Sequence, residues 1–217
     1  MPSMRVKRGF RTAERGHPVP IRDYLPLLVF VMVATATPGG ATTLATASGA
    51  HFGYRRSLPY MTGIAAGLGS MAAAAAAGLG AVMLASPALQ MALKLVGSIY
   101  LVWLAWRIGR SSSPHVGSPL RKPAGFASGV WMLWHNPKGW TMTLGAAASF
   151  ATMAHSPLQL GALLGLSFAA AAMVSLSLWC WAGQAFARLL RSEAQWRCLN
   201  GTLALLLALS IVAMWLP

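Results

Sequence analysis

Two short motifs place a proline within two residues of a glycine in the middle of apolar stretches: Thr37-Pro38-Gly39-Gly40 and Asn136-Pro137-Lys138-Gly139. Proline lacks the N–H group that a helix uses and clashes with the preceding turn, and a neighbouring glycine lowers the cost of unwinding. Matched breaks in two membrane helices are typical of a transporter's binding site, because unwound backbone groups can hold charged ligands. We therefore predict that both helices are broken and that the breaks form one site. A pair of ordinary proline kinks is the alternative.

Lys138 sharpens this interpretation. It is the sixteenth residue of the apolar segment that begins at Pro123, and an ammonium near the bilayer centre costs about 3 kcal/mol or more. No acidic residue lies inside an apolar segment, so we expect its counter-ion to be a substrate carboxylate. A lysine that reaches the interface with its long side chain is the alternative. Lys94, eight residues into its own segment, is expected to be such a structural lysine.

The predicted substrate-binding residues are Pro38, Gly39, Gly40, Asn136, Pro137 and Lys138. We expect freed backbone N–H groups and the lysine to hold a carboxylate, and the asparagine with unwound carbonyls to hold an ammonium. The chain shows no metal-ligand spacing, and Cys180 and Cys198 are expected to be ordinary reduced thiols. The prediction is therefore a protein with no catalytic residue, no metal site and no cofactor, and not an enzyme.

The elements that position these motifs are predicted to be membrane helices. Of 217 residues, 56% are hydrophobic and 9% are charged, whereas a soluble domain carries about 25% charged residues. The formal charge of +14 raises the alternative of a nucleic-acid-binding protein. The basic residues fall between long uncharged stretches, however, and we predict no nucleic-acid partner. Spanning a bilayer takes about 20 apolar residues, and six such segments can be read: Tyr24–Gly49, Leu58–Ala85, Pro87–Gly109, Pro123–Phe150, Pro157–Phe186 and Leu199–Leu216.

The two halves of the chain share a pattern. Two sets of residues recur in the same order: Pro38, Gly40 and Thr42 as Pro137, Gly139 and Thr141, and Pro59, Gly63 and Gly67 as Pro157, Gly161 and Gly165. We predict an all-α polytopic membrane protein of six segments in a three-plus-three repeat, with helices 1 and 4 broken. Because three is odd, the second repeat is inverted if every segment spans. The Gly-x3-Gly pairs are expected to pack helices closely.

The predicted organisation is a basic N-terminal tail at residues 1–22 and one transmembrane transporter domain at residues 23–217. Repeat 1 covers about 24–109, a linker covers 110–122, and repeat 2 covers about 123–216. Arginine and lysine gather between segments 1 and 2, 3 and 4, and 5 and 6, so these loops are predicted to be cytoplasmic and the C-terminus periplasmic. Six spans place the basic tail in the periplasm; in the alternative, segment 1 re-enters at Pro38 and five segments span. We favour six spans, because the repeat supports them.

Three blocks of the sequence are TPGGATTLATASGAHFGYRRSLPYMTGIAAG, LKLVGSIYLVWLAWRIGR and WMLWHNPKGWTMTLG. They resemble successive blocks of the LysE/RhtB family of amino-acid exporters, in the same order and spacing. The resemblance implies a bacterial exporter of amino acids or related small metabolites, and it carries site roles to Pro38, Gly39, Asn136, Pro137 and Lys138. The family usually shows Pro-Gly-Pro-Asn in segment 1, whereas this chain has Ala41 in place of the asparagine. Relatives in the wider superfamily export metal ions.

We predict a multi-pass secondary transporter of the bacterial inner membrane, which exports amino acids by alternating access around the Pro38 and Pro137 breaks. The substrate is expected to be a neutral amino acid, because a cationic side chain or a metal ion needs carboxylates along its path and Lys138 repels positive charge. A metal-ion exporter of the same superfamily and a non-transporting scaffold or accessory subunit are the alternatives. The lipid bilayer is the other expected partner. The oligomeric state stays open, with a homo-oligomer among the options.

Overall fold

The computed structural model describes residues 21–79, 86–110, 123–190 and 192–215. The predicted basic tail at 1–22 and the predicted linker at 110–122 lie almost entirely outside these residues. The described residues are helical and contain no strand, which confirms the all-α prediction. They form a π-helical turn at Ala75–Leu79, a 3-10 turn at Ala151–Met153 and the α-helices α1 Ile21–Ala36, α2 Gly40–Ala74, α3 Pro87–Gly109, α4 Phe126–Trp134, α5 Pro137–Ser149, α6 Pro157–Leu189 and α7 Glu193–Trp215.

Helix α2 consists of two arms that meet at Gly53. This glycine has a φ of 74° and a ψ of 170°, a conformation that the absence of a Cβ atom makes accessible. The chain folds back at Gly53. This is shown by Ser48 and Ser57, one on each arm, whose hydroxyl oxygens lie only 2.7 Å apart. The apolar pattern predicted a loop at residues 50–57 between the first two segments. In the structure these residues are helical, and Gly53 alone makes the turn.

Helix α1 lies along α6 and runs in the same direction. The rings of Phe30 and Phe168 are 6.4 Å apart between centroids, and the last residue of α1 is held by Trp179, further along α6. The first arm of α2 continues toward the same end of α6, since Thr46 packs closely against Gly183. Helix α1 and the first arm of α2 therefore run in the same direction on either side of the break.

Helices α3 and α7 are antiparallel neighbours on the other side of the first arm of α2. Trp215 donates its indole N–H to the Ser98 hydroxyl at 2.9 Å near one end of this pair, and Gly109 contacts Ala204 near the other end. The first arm of α2 packs on α7 through Gly40, which lies against Leu207. The first arm of α2 is thus packed between α6 on one side and α3 and α7 on the other.

The loops that carry the arginines leave from one end of the bundle, here termed the basic end. The turn at Gly53 is joined to the end of α6 by the Tyr54 and Trp181 rings, whose centroids are 5.1 Å apart. It is joined to the end of α3 by a cavity whose wall contains both Phe52 and Arg107. The three loops that are predicted to be cytoplasmic therefore start from the same side of the molecule.

The predicted Gly-x3-Gly pairs make close helix contacts. Gly63 lies so near α4 that a Cβ atom at this position would overlap the carbonyl group of Phe126. A Cβ atom on Gly69 would lie 2.7 Å from the carbonyl oxygen of Gly165 on α6. Small residues allow this approach of two backbones, which is the usual packing device of membrane helices. The interpretation of these glycines as packing residues is confirmed.

Helix α7 begins at Glu193, six residues before the predicted start at Leu199. The reason is a reciprocal cap: the Gln195 backbone N–H donates to the Ser192 hydroxyl at 3.2 Å, and the Ser192 N–H donates to the Gln195 side chain at 3.1 Å. Such a capping box satisfies N–H groups that the first turn leaves unpaired. Counting apolar residues missed this polar first turn.

Large apolar side chains cover the outside of the bundle. Leu158 is 83% exposed, Leu166 is 73% exposed and Ile99 is 69% exposed, and a large apolar surface of this kind marks contact with lipid or protein. By length and composition, two helical stretches, Gly40–Gly78 and Pro157–Leu189, are suited to crossing a membrane. Core helices of soluble proteins meet the same criterion, so the exposed apolar surface carries more weight than the helix lengths.

Candidate substrate site

Both predicted helix breaks are present. Helix α1 ends at Ala36 and α2 begins at Gly40, so that Pro38 lies between two helices. Helix α4 ends at Trp134 and α5 begins at Pro137. The position of Pro137 follows from its chemistry, because the first residue of a helix needs no N–H group and has the φ angle that proline imposes. The break falls immediately before it.

The break in segment 4 is capped from within its own motif. Asn136 precedes the first residue of α5, and its side-chain oxygen accepts a hydrogen bond from the Lys138 backbone N–H at 3.0 Å. The Asn136 N–H in turn donates to the Leu133 carbonyl at 2.9 Å. The side chain is buried, with 6% exposed. Asn136 therefore orients the start of α5, a role that an asparagine before proline is suited to.

The break in segment 1 depends on other helices. The Thr35 carbonyl accepts a hydrogen bond from the Ser175 hydroxyl at 2.9 Å, and the Ala36 carbonyl accepts one from the Trp179 indole at 3.2 Å. A helix leaves its last carbonyls without partners, and buried ones must find donors elsewhere. Both donors are on α6. Ser175 and Trp179 are not among the predicted site residues, although serine and tryptophan within an apolar helix are a signal of such a contact.

Lys138 joins the two breaks. Its ammonium donates to the Thr37 carbonyl at 2.9 Å and lies 3.5 Å from the Pro38 carbonyl oxygen. The side chain packs over Gly39, where a Cβ atom would be 3.2 Å from the lysine Nζ. The C-terminal end of a helix carries a partial negative charge, which attracts a cation. A substrate carboxylate that binds Lys138 must therefore compete with the end of α1.

A cleft lies between the breaks. It encloses about 420 Å³ of space between its walls, including the part that opens to the outside, but a water-sized sphere fits into only about 40 Å³ of it. This interior has room for about three water molecules. We therefore expect the walls to move apart when a molecule of amino-acid size enters. The structure thus shows the site in a narrow conformation.

Four of the six predicted site residues line this cleft: Gly39, Gly40, Asn136 and Lys138. Pro38 and Pro137 do not line it; they form the breaks. Ala41, where the family usually has asparagine, is also part of the wall. The described wall contains no acidic residue, and the remaining members are mostly small or aliphatic. The prediction that the two motifs come together is confirmed, whereas their binding of a substrate stays a prediction.

Lys94 and the two cysteines, which the sequence analysis assigned to no site, lie away from the cleft wall. The Lys94 ammonium lies 5.8 Å from the centroid of a Trp215 ring, as expected of a structural lysine near a helix end. Cys180 is a buried free thiol and Cys198 an exposed one. Among the described residues, no group of three His, Cys, Asp or Glu side chains is placed to hold a metal ion.

The sequence that forms this site matches a known protein family. The family model described as LysE type translocator matches residues 32–214, which includes both breaks. The chain belongs to the LysE type translocator family. It is similar to a cysteine/O-acetylserine efflux protein of Klebsiella pneumoniae subsp. pneumoniae, with 32% identity over 184 residues, 83% of this chain and 90% of the relative. Proteins of the same description in Salmonella typhi and Escherichia coli K12 are each 29% identical, over 82% of this chain and 90% of theirs. No solved structure matches the chain.

Membership of this LysE family makes the protein a membrane transport protein and not an enzyme. The exposed apolar surface and the paired breaks agree with this conclusion. The family match at residues 32–214 covers the last turn of α1, all of α2 to α6 and nearly all of α7, so that every residue lining the cleft lies within it.

Proposed function

We propose that this LysE type translocator is a secondary transporter that exports small neutral amino acids across the bacterial inner membrane. The observation that carries the proposal is the contact between Lys138 and the carbonyl end of α1 across a cleft with no acidic residue in its described wall. A zwitterion complements both halves of this contact. The relatives' description as cysteine/O-acetylserine efflux proteins supports the same class of substrate.

Substrate binding exchanges one contact for two. The carboxylate of an amino acid takes the Lys138 ammonium, and the substrate ammonium takes the Thr37 and Pro38 carbonyls that Lys138 leaves. The exchange keeps every charged group partnered, which a low-dielectric site requires. It also separates the end of α1 from the start of α5, so that substrate binding loosens the contact between the two broken helices.

Alternating access follows from the arrangement of the helices. We propose that the two halves of the chain are inverted repeats and that one rocks against the other around the cleft. The opposite directions of neighbouring helices and the matched breaks support this. Segment 1 continues past its break toward the basic end, which favours six spans over a re-entrant first segment. The basic end is then cytoplasmic and the C-terminus periplasmic.

Export by everted membrane vesicles tests the proposed function. Labelled O-acetylserine is the tracer, and unlabelled serine, alanine, lysine, arginine and cadmium are the competitors. We expect the neutral amino acids to compete most strongly, because a second positive charge is repelled by Lys138 and finds no carboxylate in the described wall. Stronger competition by lysine, arginine or cadmium overturns the proposal and favours a basic substrate or a metal ion.

A scaffold or accessory subunit is the second candidate, since it also needs packed helices and a lipid-facing surface. It needs no lysine at the breaks, however. Reporter fusions test the topology separately: a fusion at the C-terminus is expected to be periplasmic, and a fusion at residue 115 is expected to be cytoplasmic. The reverse pattern contradicts the proposed orientation without affecting the substrate assignment.

A further inference from the structure

A second cavity lies at the basic end of the bundle, one helical turn from the cleft. Gly40 lines the cleft, and Leu44, four residues later on α2, lines this cavity. A water-sized sphere fits into about 240 Å³ of it, against about 40 Å³ of the cleft. Its walls come from both arms of α2, from α3 and from the start of α4. In the conformation described here, it is the roomier of the two.

Arg107, Tyr60 and Tyr100 line this cavity among mainly apolar residues, together with Ser48 and Ser128. Tyr60 is 4% exposed. Within residues 21–79, 86–110, 123–190 and 192–215, none of the three has a hydrogen-bond or carboxylate partner. Tyr60 is buried, and Tyr100 and Arg107 are partly buried. Because burying a polar group without a partner costs free energy, a ligand that supplies hydrogen-bond acceptors fits this cavity.

The guanidinium is held in place at the cavity. Arg107 lies over the Trp103 ring, with its Cζ atom 4.7 Å from the ring centroid. This cation–π contact restrains the position of the guanidinium, and its N–H groups stay available to a hydrogen-bond acceptor. A planar fork of donors matches a carboxylate in a bidentate manner, better than any neutral acceptor does. The cavity is thus built for an anion with an apolar or small polar remainder.

We infer that this cavity is a second binding site, in which Arg107 binds the carboxylate of an amino acid that has entered from the cytoplasm. The inference rests on the proposed function for the substrate class and on the basic end being cytoplasmic. Tyr60 and Tyr100 supply hydroxyls for the remaining polar atoms, and the ring faces of Tyr100 and Trp103 lie against the substrate ammonium.

The way from this site to the cleft is short and closed by flexible side chains. A Cβ atom on Gly40 would be 3.3 Å from the Leu101 side chain and 3.6 Å from that of Met132. Leu101 is 3% exposed and Met132 is 2% exposed. Rotation of such unbranched or γ-branched side chains opens a path without unfolding a helix. An amino acid bound at Arg107 is therefore positioned to move to Lys138 when the cleft widens.

Protection of an introduced thiol tests the site directly. Ser128, on the cavity wall and exposed, is changed to cysteine in a Cys198→Ser background, and everted vesicles are treated with a membrane-impermeant maleimide. O-acetylserine is expected to slow the modification, whereas its methyl ester, which lacks the carboxylate, is not. Arg107→Gln is expected to weaken this protection about tenfold, as the loss of a charge-assisted hydrogen bond does.

Arg110→Gln is the matched control, because Arg110 lies over Trp106 in the same way, at 5.0 Å, and does not line the cavity. It is expected to keep full protection. Two results overturn the site: protection that persists in Arg107→Gln, or equal protection by the methyl ester. Protection by phosphatidylglycerol in the vesicles, with none by O-acetylserine, also overturns it and assigns the cavity to a lipid phosphate.

The same measurement in a Lys138→Ala background separates this inference from the proposed function. Protection is expected to persist there although transport is lost, since the two sites use different cations. If Lys138→Ala transports normally and O-acetylserine still protects the cysteine of Ser128→Cys, the proposed role of the cleft is contradicted and the second site is not. A second readout is the KM for export from the cytoplasmic side, which Arg107→Gln is expected to raise about tenfold with a smaller change in maximal rate. A KM equal to that of the parent contradicts the second site.

Discussion

The two helix breaks look alike in sequence but are held in different ways. In segment 4, Asn136 caps the new helix start within its own motif, and Pro137 needs no partner for a missing N–H group. In segment 1, the freed carbonyls are satisfied by Ser175, Trp179 and Lys138 from elsewhere in the bundle. The first kind of break is local and rigid, whereas the second is conditional on its neighbours. A break that depends on neighbours is the one that can respond when a substrate takes one of them away.

The largest effect is expected from Lys138→Ala, which removes the contact between the breaks. Export is expected to fall about tenfold to a hundredfold or more, because a charge-assisted hydrogen bond to the substrate is worth roughly 1.5–3 kcal/mol. Everted vesicles that contain equal amounts of parent and variant protein measure the rate. Lys94→Ala is the control, since this lysine lies near Trp215 and not at the cleft. A parent rate in Lys138→Ala shows that the breaks are not the substrate site.

Asn136→Ala is expected to have the next largest effect. It lowers the stability of the folded protein. Loss of an N-cap side chain costs about 1 kcal/mol, which corresponds to a decrease of about 2–4 °C in Tm for a protein of this size. Asn136→Ser keeps a capping oxygen and is expected to recover most of the loss. Thermal unfolding of the purified protein in detergent measures both. If Asn136→Ser is as unstable as Asn136→Ala, the local cap does not hold this break.

The local break was the easier one to predict. Proline at residues 38 and 137 interrupts a helix wherever it is placed, so both breaks follow from covalent chemistry. The cap by Asn136 was also readable from its place before proline, although the asparagine was assigned to the substrate. The roles of Ser175 and Trp179 were not predictable, because they depend on which face of the long helix α6 meets the end of α1. That choice is made by packing over the whole bundle.

The same distinction explains why the cavity at Arg107 was missed. An arginine near the end of an apolar segment predicts the orientation of a membrane protein and little more. What supports the proposed binding role is that Arg107 has no hydrogen-bond or carboxylate partner among the described residues and shares a cavity wall with Tyr60 from another helix. Likewise, a glycine between two apolar segments does not reveal that Gly53 alone makes the turn. Composition and proline positions give the class of fold, whereas tertiary contacts decide the sites.

Ser175→Ala tests the conditional break with a smaller effect. The substitution removes the donor to the Thr35 carbonyl, which lines the cleft. Hydrogen bonds between membrane helices are worth about 0.6 kcal/mol on average, so the KM for export is expected to change about threefold. Ser177→Ala is the control, because its hydroxyl bonds to Tyr54 at 3.0 Å away from the breaks. An equal change in KM for both variants means that the effect is one of general packing.

Ala41→Asn is expected to have the smallest effect, and it tests whether the first break can be made more like the second. Ala41 is part of the cleft wall and only partly buried, and related exporters usually have asparagine there. The added amide takes up part of an interior in which a water-sized sphere has about 40 Å³. We therefore expect the KM for O-acetylserine to rise about twofold more than the KM for alanine, a difference of roughly 0.4 kcal/mol, since the larger substrate needs the space that the amide takes up. Ala41→Val adds volume without an amide and separates the two contributions. If Ala41→Asn strengthens the preference for O-acetylserine and Ala41→Val leaves it unchanged, the amide binds the substrate and its volume is not what matters.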